Sequence, residues 1–362
     1  MTDKTFFSKN LCNWYESHKR DLPWRNTNDP YLIWISEIIL QQTRVNQGYT
    51  YYIRFINRFP DVKTLALADI DEVMKYWEGL GYYSRARNLH AAAQQICSLG
   101  KFPSDYHSIK QLKGVGEYTA AAIASFAFGL KHAVVDGNVY RVLSRYFAID
   151  IPIDTAEGKH YYYLLANDLL PERESVAIYN QAIMDFGALQ CGPKSPHCNA
   201  CPLSDSCLAF NQSSIENYPI KIKKLEIKNR YLNYFILRTN DEIWLHRREG
   251  KDIWQGLYEP FLIETTDDKD LFSRLEHELA HLFHFPTPMQ QNVIAMNIRH
   301  QLTHRTLVCN FIEIITKQKP TFKEEHNGKW YGLSEIEDLA FPKVVQKVMN
   351  LYSDNKQKKK NL

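Results

Sequence analysis

Four of the seven cysteines fall in one short stretch, Cys191, Cys198, Cys201 and Cys207, separated by six, two and five residues. Thiols this close, joined by Pro- and Gly-containing turns, can converge on one centre. Four thiolates suit tetrahedral zinc or an iron–sulfur cluster, and the donor set alone leaves both open. Cys12, Cys97 and Cys309 stand apart and are expected in the core. Two acids also stand out. Glu37 interrupts Tyr31-Leu32-Ile33-Trp34-Ile35-Ser36-Glu37-Ile38-Ile39-Leu40, which is apolar on nearly every helical face. An ionised carboxylate there is costly unless solvated or paired, so its pKa should tend upward, as suits a general acid. A Glu emerging at a helix edge is the plainer reading. Asp136, in Val134-Val135-Asp136-Gly137-Asn138-Val139, has as its plainer reading the N-cap of a helix through Arg141 and Arg145. Asn138 is the alternative cap.

Between an apparent helix and the small-residue run Thr119–Phe128 lies Leu112-Lys113-Gly114-Val115-Gly116. Glycines flanking one apolar residue allow a tight turn between helices. They also let bare backbone amides approach a phosphate at the start of the second helix. A lone Gly-x-Gly is common in ordinary turns, so the cysteine stretch downstream is what makes it informative.

These groups need elements to position them. With 362 residues the chain exceeds one hydrophobic core, and two domains are expected. Pro23, Pro30, Pro60, Pro103, Pro152 and Pro171 divide residues 1–210 into helical segments, with helix-start chemistry at Asp69/Asp71 and Ser104/Asp105. No convincing run of alternating strands occurs there, so this half reads as all-α. Residues 211–230 carry Lys221, Lys223, Lys224, Lys228 and Arg230 against Glu226. They read as a linker, lying along phosphates or simply solvated. Residues 231–352 read as α+β. Tyr231–Arg238 and Glu242–Arg248 pair across Thr239-Asn240-Asp241, Asp270–Phe283 forms an amphipathic helix, and Thr306–Ile315 forms a strand. Residues 353–362, with Lys356–Lys360, form a basic tail expected to be disordered.

Net charge is only +3, so any nucleic-acid surface must concentrate its basic residues on one face. Most of the 22 tyrosines are expected to be core. Met1–Asn10 has no long apolar region or cleavage site, and Tyr118–Leu130 is too short to span a bilayer. Seven cysteines without a leader argue for metal-binding or core thiols in a cytoplasmic chain with no membrane partner.

The cysteine spacing resembles the iron–sulfur loop that closes the catalytic domain in the endonuclease III superfamily of DNA glycosylases, which implies a [4Fe-4S] cluster. The glycine turn resembles the same superfamily's helix-hairpin-helix element, which grips the backbone beside a flipped nucleotide. Leu22-Pro23-Trp24-Arg25, then Trp34-Ile35-Ser36-Glu37-Ile38-Ile39-Leu40-Gln41-Gln42-Thr43, then Gly79-Leu80-Gly81-Tyr82-Tyr83-Ser84-Arg85-Ala86-Arg87-Asn88-Leu89 closely resemble the adenine DNA glycosylase family. The resemblance covers roughly residues 6–210. It implies Glu37 as the acid at adenine N7, Asp136 as the sugar-side carboxylate, and Tyr118 as their companion. It implies a flipped-adenine pocket of Trp24, Arg25, Leu40 and Val45, with Gln181 near the polar edge. Gln42 and Tyr82 would wedge into the base stack, while Gly114, Gly116 and Asn138 would join the DNA-binding set. Related pyrimidine-specific enzymes place a lysine where Tyr118 stands. Tyrosine cannot form a Schiff base, so a monofunctional glycosylase is implied.

In this family the C-terminal domain resembles Nudix-type pyrophosphohydrolases and reads 8-oxoguanine. Ser273-Arg274-Leu275-Glu276-His277-Glu278 lacks the paired carboxylates that hold magnesium, so hydrolysis of free nucleotides is not expected. Leu302-Thr303-His304, preceded by His300, stands where the family's Phe-Ser-His loop reads the lesion; seen alone, these would be ordinary strand residues. The whole reading is a two-domain chain with an all-α helix-hairpin-helix domain and a smaller Nudix-like α+β domain. It acts as a monomer on double-stranded DNA holding adenine opposite 8-oxoguanine or, less efficiently, guanine.

Overall fold

Proline and short acids set the helix starts. Pro30 occupies the first helical turn, where its missing N–H is no loss, and Asp29 accepts the Tyr31 amide at 2.8 Å. Asp69 and Asp105 likewise cap the helices beginning at Ile70 and Tyr106, accepting amides at 2.7 and 2.9 Å. The computed structural model describes residues 4–172, 175–222, 227–267 and 271–353, the side chains of 271–275 and 353 excepted. By contact the chain divides into two units, residues 1–67 with 88–224, and 68–87 with 225–362.

The helices, in chain order, are α1 (Lys4–His18), α2 (Pro30–Leu40), α3 (Val45–Arg58), α4 (Val62–Leu67), α5 (Ile70–Trp77), α6 (Ser84–Leu99), α7 (Tyr106–Lys110), α8 (Glu117–Phe128), α9 (Gly137–Phe147), α10 (Ala156–Asp168), α11 (Val176–Leu189) and α12 (Leu208–Asn211). The first unit is all-helical among the described residues. Helix α2 buries Tyr31 and every residue from Ile33 to Ile39, which is why its sequence is apolar on all faces. It packs on α8, whose buried stretch Thr119–Ser125 is mostly alanine and so permits close approach. In the α7–α8 turn Gly114 has φ +75°, and a Cβ there would lie 2.6 Å from the Asn88 Cβ; only glycine fits. On α11, a Cβ at Gly187 would lie 2.7 Å from the Asn138 Cβ, so glycine lets α11 close on the start of α9.

The second unit is a mixed seven-stranded sheet. Strands β1 (Lys228–Arg238) and β2 (Glu242–Arg247) form the expected antiparallel pair, joined by Thr239–Asp241 with Arg238 opposite Ile243. Then follow β3 (Tyr258–Glu259), β4 (Phe261–Thr265), β5 (Phe283–His284), β6 (Met289–Gln301), β7 (Arg305–Thr316), β8 (Thr321–Phe322) and β9 (Gly328–Gly332). The sheet order is β3-β2-β1-β7-β6, with β4 on β1, β9 on β2, and β1 parallel to β7. Along β1, Leu232, Tyr234 and Ile236 face one core while Phe235 and Leu237 face another. The first core is closed by Val344, Val345 and Val348 of α14 (Lys343–Ser353), the second by Leu279 of α13 (Leu271–Leu282). A sheet buried on both sides explains the nearly unbroken apolar run of β1.

Three expectations shift. The stretch expected to begin a free linker is tied to the first unit as far as it is described. Ile220 accepts the Ile153 amide at 3.0 Å, Tyr218 donates to Asp150 at 2.9 Å, and Ile222 N lies 3.2 Å from Asp154. Lys223, Lys224 and Glu226 of that linker, and the tail Lys356–Lys360, lie outside the described residues. Cys97 is exposed rather than core, while Cys12 and Cys309 are buried as expected.

The third shift is residues 68–87, read as part of the helical domain but packed with the second unit. Here Glu78, 8% exposed, accepts the Phe341 amide at 2.8 Å and the Gln346 side-chain amide at 2.6 Å, with Lys75 at 3.1 Å. Tyr258 donates to Asp71 at 3.0 Å, and Arg87 donates to Gln255 at 3.1 Å. Truncating Glu78 strips a buried amide of its acceptor, which costs about 1–3 kcal/mol. Glu78→Ala should therefore lower the midpoint of denaturant unfolding of the second unit, and Glu78→Gln should recover part of it. An unchanged midpoint in Glu78→Ala would show that this carboxylate does not anchor the segment.

Candidate active site

The ends of α2 and α3, the α7–α8 turn, the start of α9 and one face of α11 enclose a cleft of about 730 Å³ in the first unit. It is lined by Trp24, Arg25, Glu37, Leu40, Gln42, Val45, Gly114, Gly116, Tyr118, Asp136, Asn138 and Gln181. The structure thus brings together every candidate from the first half of the chain except Tyr82 and the cysteines. Ser36, Gln41, Thr119 and Met184 also line it, unremarked in the sequence.

Glu37 is 7% exposed on α2. Burial pushes its carboxyl up to about 7, although hydrogen bonding from Tyr118 and the charge of Arg25 pull it down; Asp136 adds to the rise. Burial and the same two acids push the Tyr118 hydroxyl well above its ordinary range, so it stays a neutral donor; it also lies 3.4 Å from the Met184 sulfur.

Arg25 is held by a residue that sequence reasoning missed. Asp185 on α11 is fully buried and ion-pairs with both Arg25 and Arg20. Arg25 Nη2 donates to Asp185 Oδ1 at 2.8 Å, and Arg20 Nε reaches the same oxygen at 3.1 Å. Burial alone would raise the Asp185 carboxyl, but these hydrogen bonds outweigh it and hold it below the usual carboxylate range. Arg25 Nη1 also donates to Tyr15 at 3.1 Å, and Tyr15 donates to Gln181 Oε1 at 2.7 Å. The signal was present: Asp185 interrupts Ala182-Ile183-Met184-Asp185-Phe186, as Glu37 interrupts its own apolar run.

Asp136 itself is the N-cap of α9, its plainer reading, and the alternative, Asn138, is not the cap. Its Oδ1 accepts the Asn138 and Val139 amides, both at 2.9 Å, leaving Oδ2 to the Asn138 side-chain amide at 2.8 Å. Burial raises its carboxyl above the usual range, and those hydrogen bonds pull it partly back. Asn138 Oδ1 accepts from Arg141 Nη2 at 2.8 Å, and Arg141 Nε donates to the Cys191 carbonyl at 2.8 Å. The α8 start, by contrast, follows Gly116 with no side-chain cap, which leaves its first amides open to an anion.

Cys191, Cys198, Cys201 and Cys207 line one cavity of about 30 Å³ with Val142, Tyr146 and Phe186. Arg145, 4% exposed, lies 3.5 Å from the Cys191 sulfur and donates to the Gly192 and Pro193 carbonyls at 2.7 and 3.1 Å. Burial and the neighbouring thiols push Cys198, Cys201 and Cys207 up, Cys201 to about 12. Such thiols ionise together only around a strongly cationic centre. Among the described residues, no three His, Cys, Asp or Glu side chains are grouped to hold a single metal ion.

Tyr82, Thr303 and His304 lie in the second unit, around a separate cleft of about 740 Å³. Leu302–Arg305 is a tight turn between β6 and β7, closed by the Leu302 amide on the Arg305 carbonyl at 2.8 Å. Thr303 and His304 are therefore exposed turn residues, not strand residues.

Residues 35–158 match the family described as HhH-GPD superfamily base excision DNA repair protein, and residues 233–351 match the NUDIX domain. The chain is 35% identical over 360 residues to the adenine DNA glycosylase of Buchnera aphidicola subsp. Baizongia pistaciae (strain Bp), covering 96% of this chain and 97% of that one. A solved structure of a thermostable thymine-DNA glycosylase is 31% identical, with a TM-score of 0.54, covering 58% of this chain and 97% of its own. A non-covalent endonuclease III–DNA complex, 22% identical at a TM-score of 0.50, covers 59% of this chain and 99% of its own and shares the fold. No helix among the described residues is long and apolar enough to cross a membrane.

The burial of Glu37 has a measurable consequence. Its folded pKa lies above its unfolded value, so the folded state binds the extra proton between those values and loses stability as pH rises through them. Lifting the group from an ordinary 4.5 to about 7 makes ionised Glu37 a liability of about 3 kcal/mol. Glu37→Gln cannot ionise, so its melting temperature should pull ahead of the parent's between pH 5 and pH 8. Parallel melting curves across that window would show that Glu37 titrates normally.

Proposed function

The chain belongs to the adenine DNA glycosylase family of base excision repair enzymes, which act on DNA, and we propose that it removes adenine mispaired with 8-oxoguanine, and less efficiently with guanine, without cutting the strand. The observation that carries this is a buried acid, Glu37, whose carboxyl burial pushes up, in the same cleft as a second carboxylate, Asp136. Glu37 is placed to protonate adenine N7, turning the base into a neutral leaving group. Asp136 then offsets the positive charge that builds on the sugar as the N-glycosidic bond lengthens.

The other residues serve these two. Tyr118 donates toward Glu37 and, being no amine, forms no Schiff base with the sugar. Trp24, Leu40 and Val45 wall the pocket for the flipped adenine, and Arg25 adds a fixed charge. Gln181, held by Tyr15, faces the base's polar edge. Gln42 and Tyr82 wedge into the stack and repay part of the cost of extrusion. Gly114, Gly116 and the open α8 amides hold the phosphate next to the flipped nucleotide, with Asn138 beside them. In the second unit Thr303 and His304 read 8-oxoguanine.

The four cysteines fit a [4Fe-4S] cluster. Their thiols share one cavity, and the choice of a cluster over zinc rests on the resemblance of their spacing to the iron–sulfur loop. The four thiolates would hold the cluster and its cationic core would offset part of their charge, with Arg145 beside Cys191, and it would tie down the α11–α12 connection. We take the enzyme to be monomeric and cytoplasmic.

Duplexes holding adenine opposite 8-oxoguanine, guanine or thymine test the reading, with products resolved before and after alkali. Adenine should leave fastest opposite 8-oxoguanine, with strand breaks only after alkali. Glu37→Gln and Asp136→Asn should each slow single-turnover excision by at least ~10² while still binding duplex. Near-parental excision by either variant would remove that residue from the chemistry.

The cluster has its own measurement. Aerobically purified protein should be brown, with about four irons per chain, and Cys198→Ser should lower soluble yield. Colourless, active protein with stoichiometric zinc would replace the cluster by a zinc site.

A further inference from the structure

A chain of hydrogen bonds runs from the buried interior of the first unit into its cleft. Asp185 Oδ1 accepts from Arg25 Nη2 at 2.8 Å, Arg25 Nη1 lies 3.1 Å from the Tyr15 hydroxyl, and that hydroxyl lies 2.7 Å from Gln181 Oε1. Tyr15 stands behind the wall on α1, 4% exposed, whereas Arg25 and Gln181 line the cleft. The chemistry of the donors fixes the direction of each step. A guanidinium only donates, so the Tyr15 oxygen must accept from Arg25. The Tyr15 proton is then free for Gln181, and burial keeps it in place by raising the phenol above its ordinary range. A donating hydroxyl needs an acceptor, so it takes the carbonyl end of the Gln181 amide. The two ends of an amide are alike in shape, and its hydrogen-bond partners decide which faces where. Among the described residues the Gln181 nitrogen has no hydrogen-bond partner.

We propose that Tyr15 is a positioning residue for base choice: it holds back the carbonyl of Gln181 and turns the amide N–H donors toward the flipped base. This rests on Gln181 facing the polar edge of that base. Adenine carries an unprotonated N1, an acceptor, on its six-membered ring. Hypoxanthine carries N1–H, a donor, at the same place. An N–H pair held outward therefore bonds adenine and meets hypoxanthine donor against donor. A glutamine free to turn would offer its carbonyl to N1–H and admit the wrong base. Turning it here would leave the buried Tyr15 proton facing an N–H group, with its own bond unmade. Asp185 secures the direction from further back, by holding Arg25.

Duplexes holding adenine or hypoxanthine opposite 8-oxoguanine test this on the intact protein, read as the ratio of their excision efficiencies. The parent should favour adenine. Tyr15→Phe keeps the ring and removes the hydroxyl, and it should narrow the ratio several-fold, chiefly through faster release of hypoxanthine. Gln181→Leu removes both ends of the amide and should narrow the ratio as well. In the Gln181→Leu background Tyr15→Phe should change the ratio no further, because no amide is left to turn. A packing defect at Tyr15 would slow both substrates together and leave the ratio intact, and that outcome would overturn the proposal. Effects that multiply in the double variant would overturn it too. A ratio narrowed by Gln181→Leu but untouched by Tyr15→Phe would leave Gln181 as the reader and remove Tyr15 from the task. A ratio that Gln181→Leu does not move would overturn the reading of Gln181 itself, and this proposal with it.

Discussion

An ionised carboxylate withdrawn from water loses several kcal/mol of hydration, and Glu37 avoids that loss by holding its proton up to about pH 7. Keeping the proton is harder than burying the group, because Arg25 stands in the same cleft and its charge pulls Glu37 down. Asp185 is what limits this. Fully buried, it takes Arg25 and Arg20 together, so the guanidinium field is spent on a permanent counter-ion rather than on Glu37. Without Asp185, Arg25 would be a buried charge that has lost its hydrogen-bonded counter-ion. The acidity of Glu37 is set first by its burial on α2, with Tyr118 and Arg25 opposing it.

That places a demand on packing. Helix α11 must lie against α9 and the segment carrying Arg20 and Arg25 closely enough for short hydrogen bonds. Gly187, two residues after Asp185, meets the Asn138 side chain where any Cβ would collide with it. Asn138 in turn orients Asp136 from one end of its amide and accepts Arg141 at the other. Helix α11 thus bears on the cleft at two points, on Arg25 through Asp185 and on Asn138, the partner of Asp136, through Gly187. Asp136 shows that a structural and a chemical role need not exclude each other. Its Oδ1 is occupied by the amides of α9, while Oδ2 accepts the Asn138 side-chain amide.

Much of this was legible in the residues, for identifiable reasons. Glu37 stood out because an acid within an apolar run has few bland explanations, and Asp185, which obeys the same rule, was equally legible. The glycine turn was readable because Gly114 requires a left-handed backbone that few other residues tolerate. The membership of residues 68–87 was not readable. Helix α5 is amphipathic like its neighbours, and nothing local says that Val73, Met74 and Trp77 are buried within the second unit rather than the first. Strand β6 escaped notice because it is polar and largely exposed, with register shifts between Val293 and Ala295 and between Ala295 and Ile298, so it lacks clean alternation. The turn at Leu302–Arg305 was hidden for the same reason: without β6, its hairpin has only one arm.

Local rules fail at several places, and some of those places line the clefts. Helix α8 begins with no side-chain cap, forgoing roughly 1 kcal/mol. Gln42 lines the first-unit cleft at φ +55°, and Tyr82 and Trp254 line the second-unit cleft at +47° and +62°. Such conformations cost of order 1–3 kcal/mol each and persist only where the surroundings over-determine them. Core residues of the first unit such as Trp34, Tyr52 and Phe55 show no such conflict and are essentially fully buried. At α8, Gln42 and Tyr82 the departure falls on positions proposed to leave amides free for a phosphate or to reach a base stack. Stability withheld at those positions is the physical counterpart of the proton withheld at Glu37.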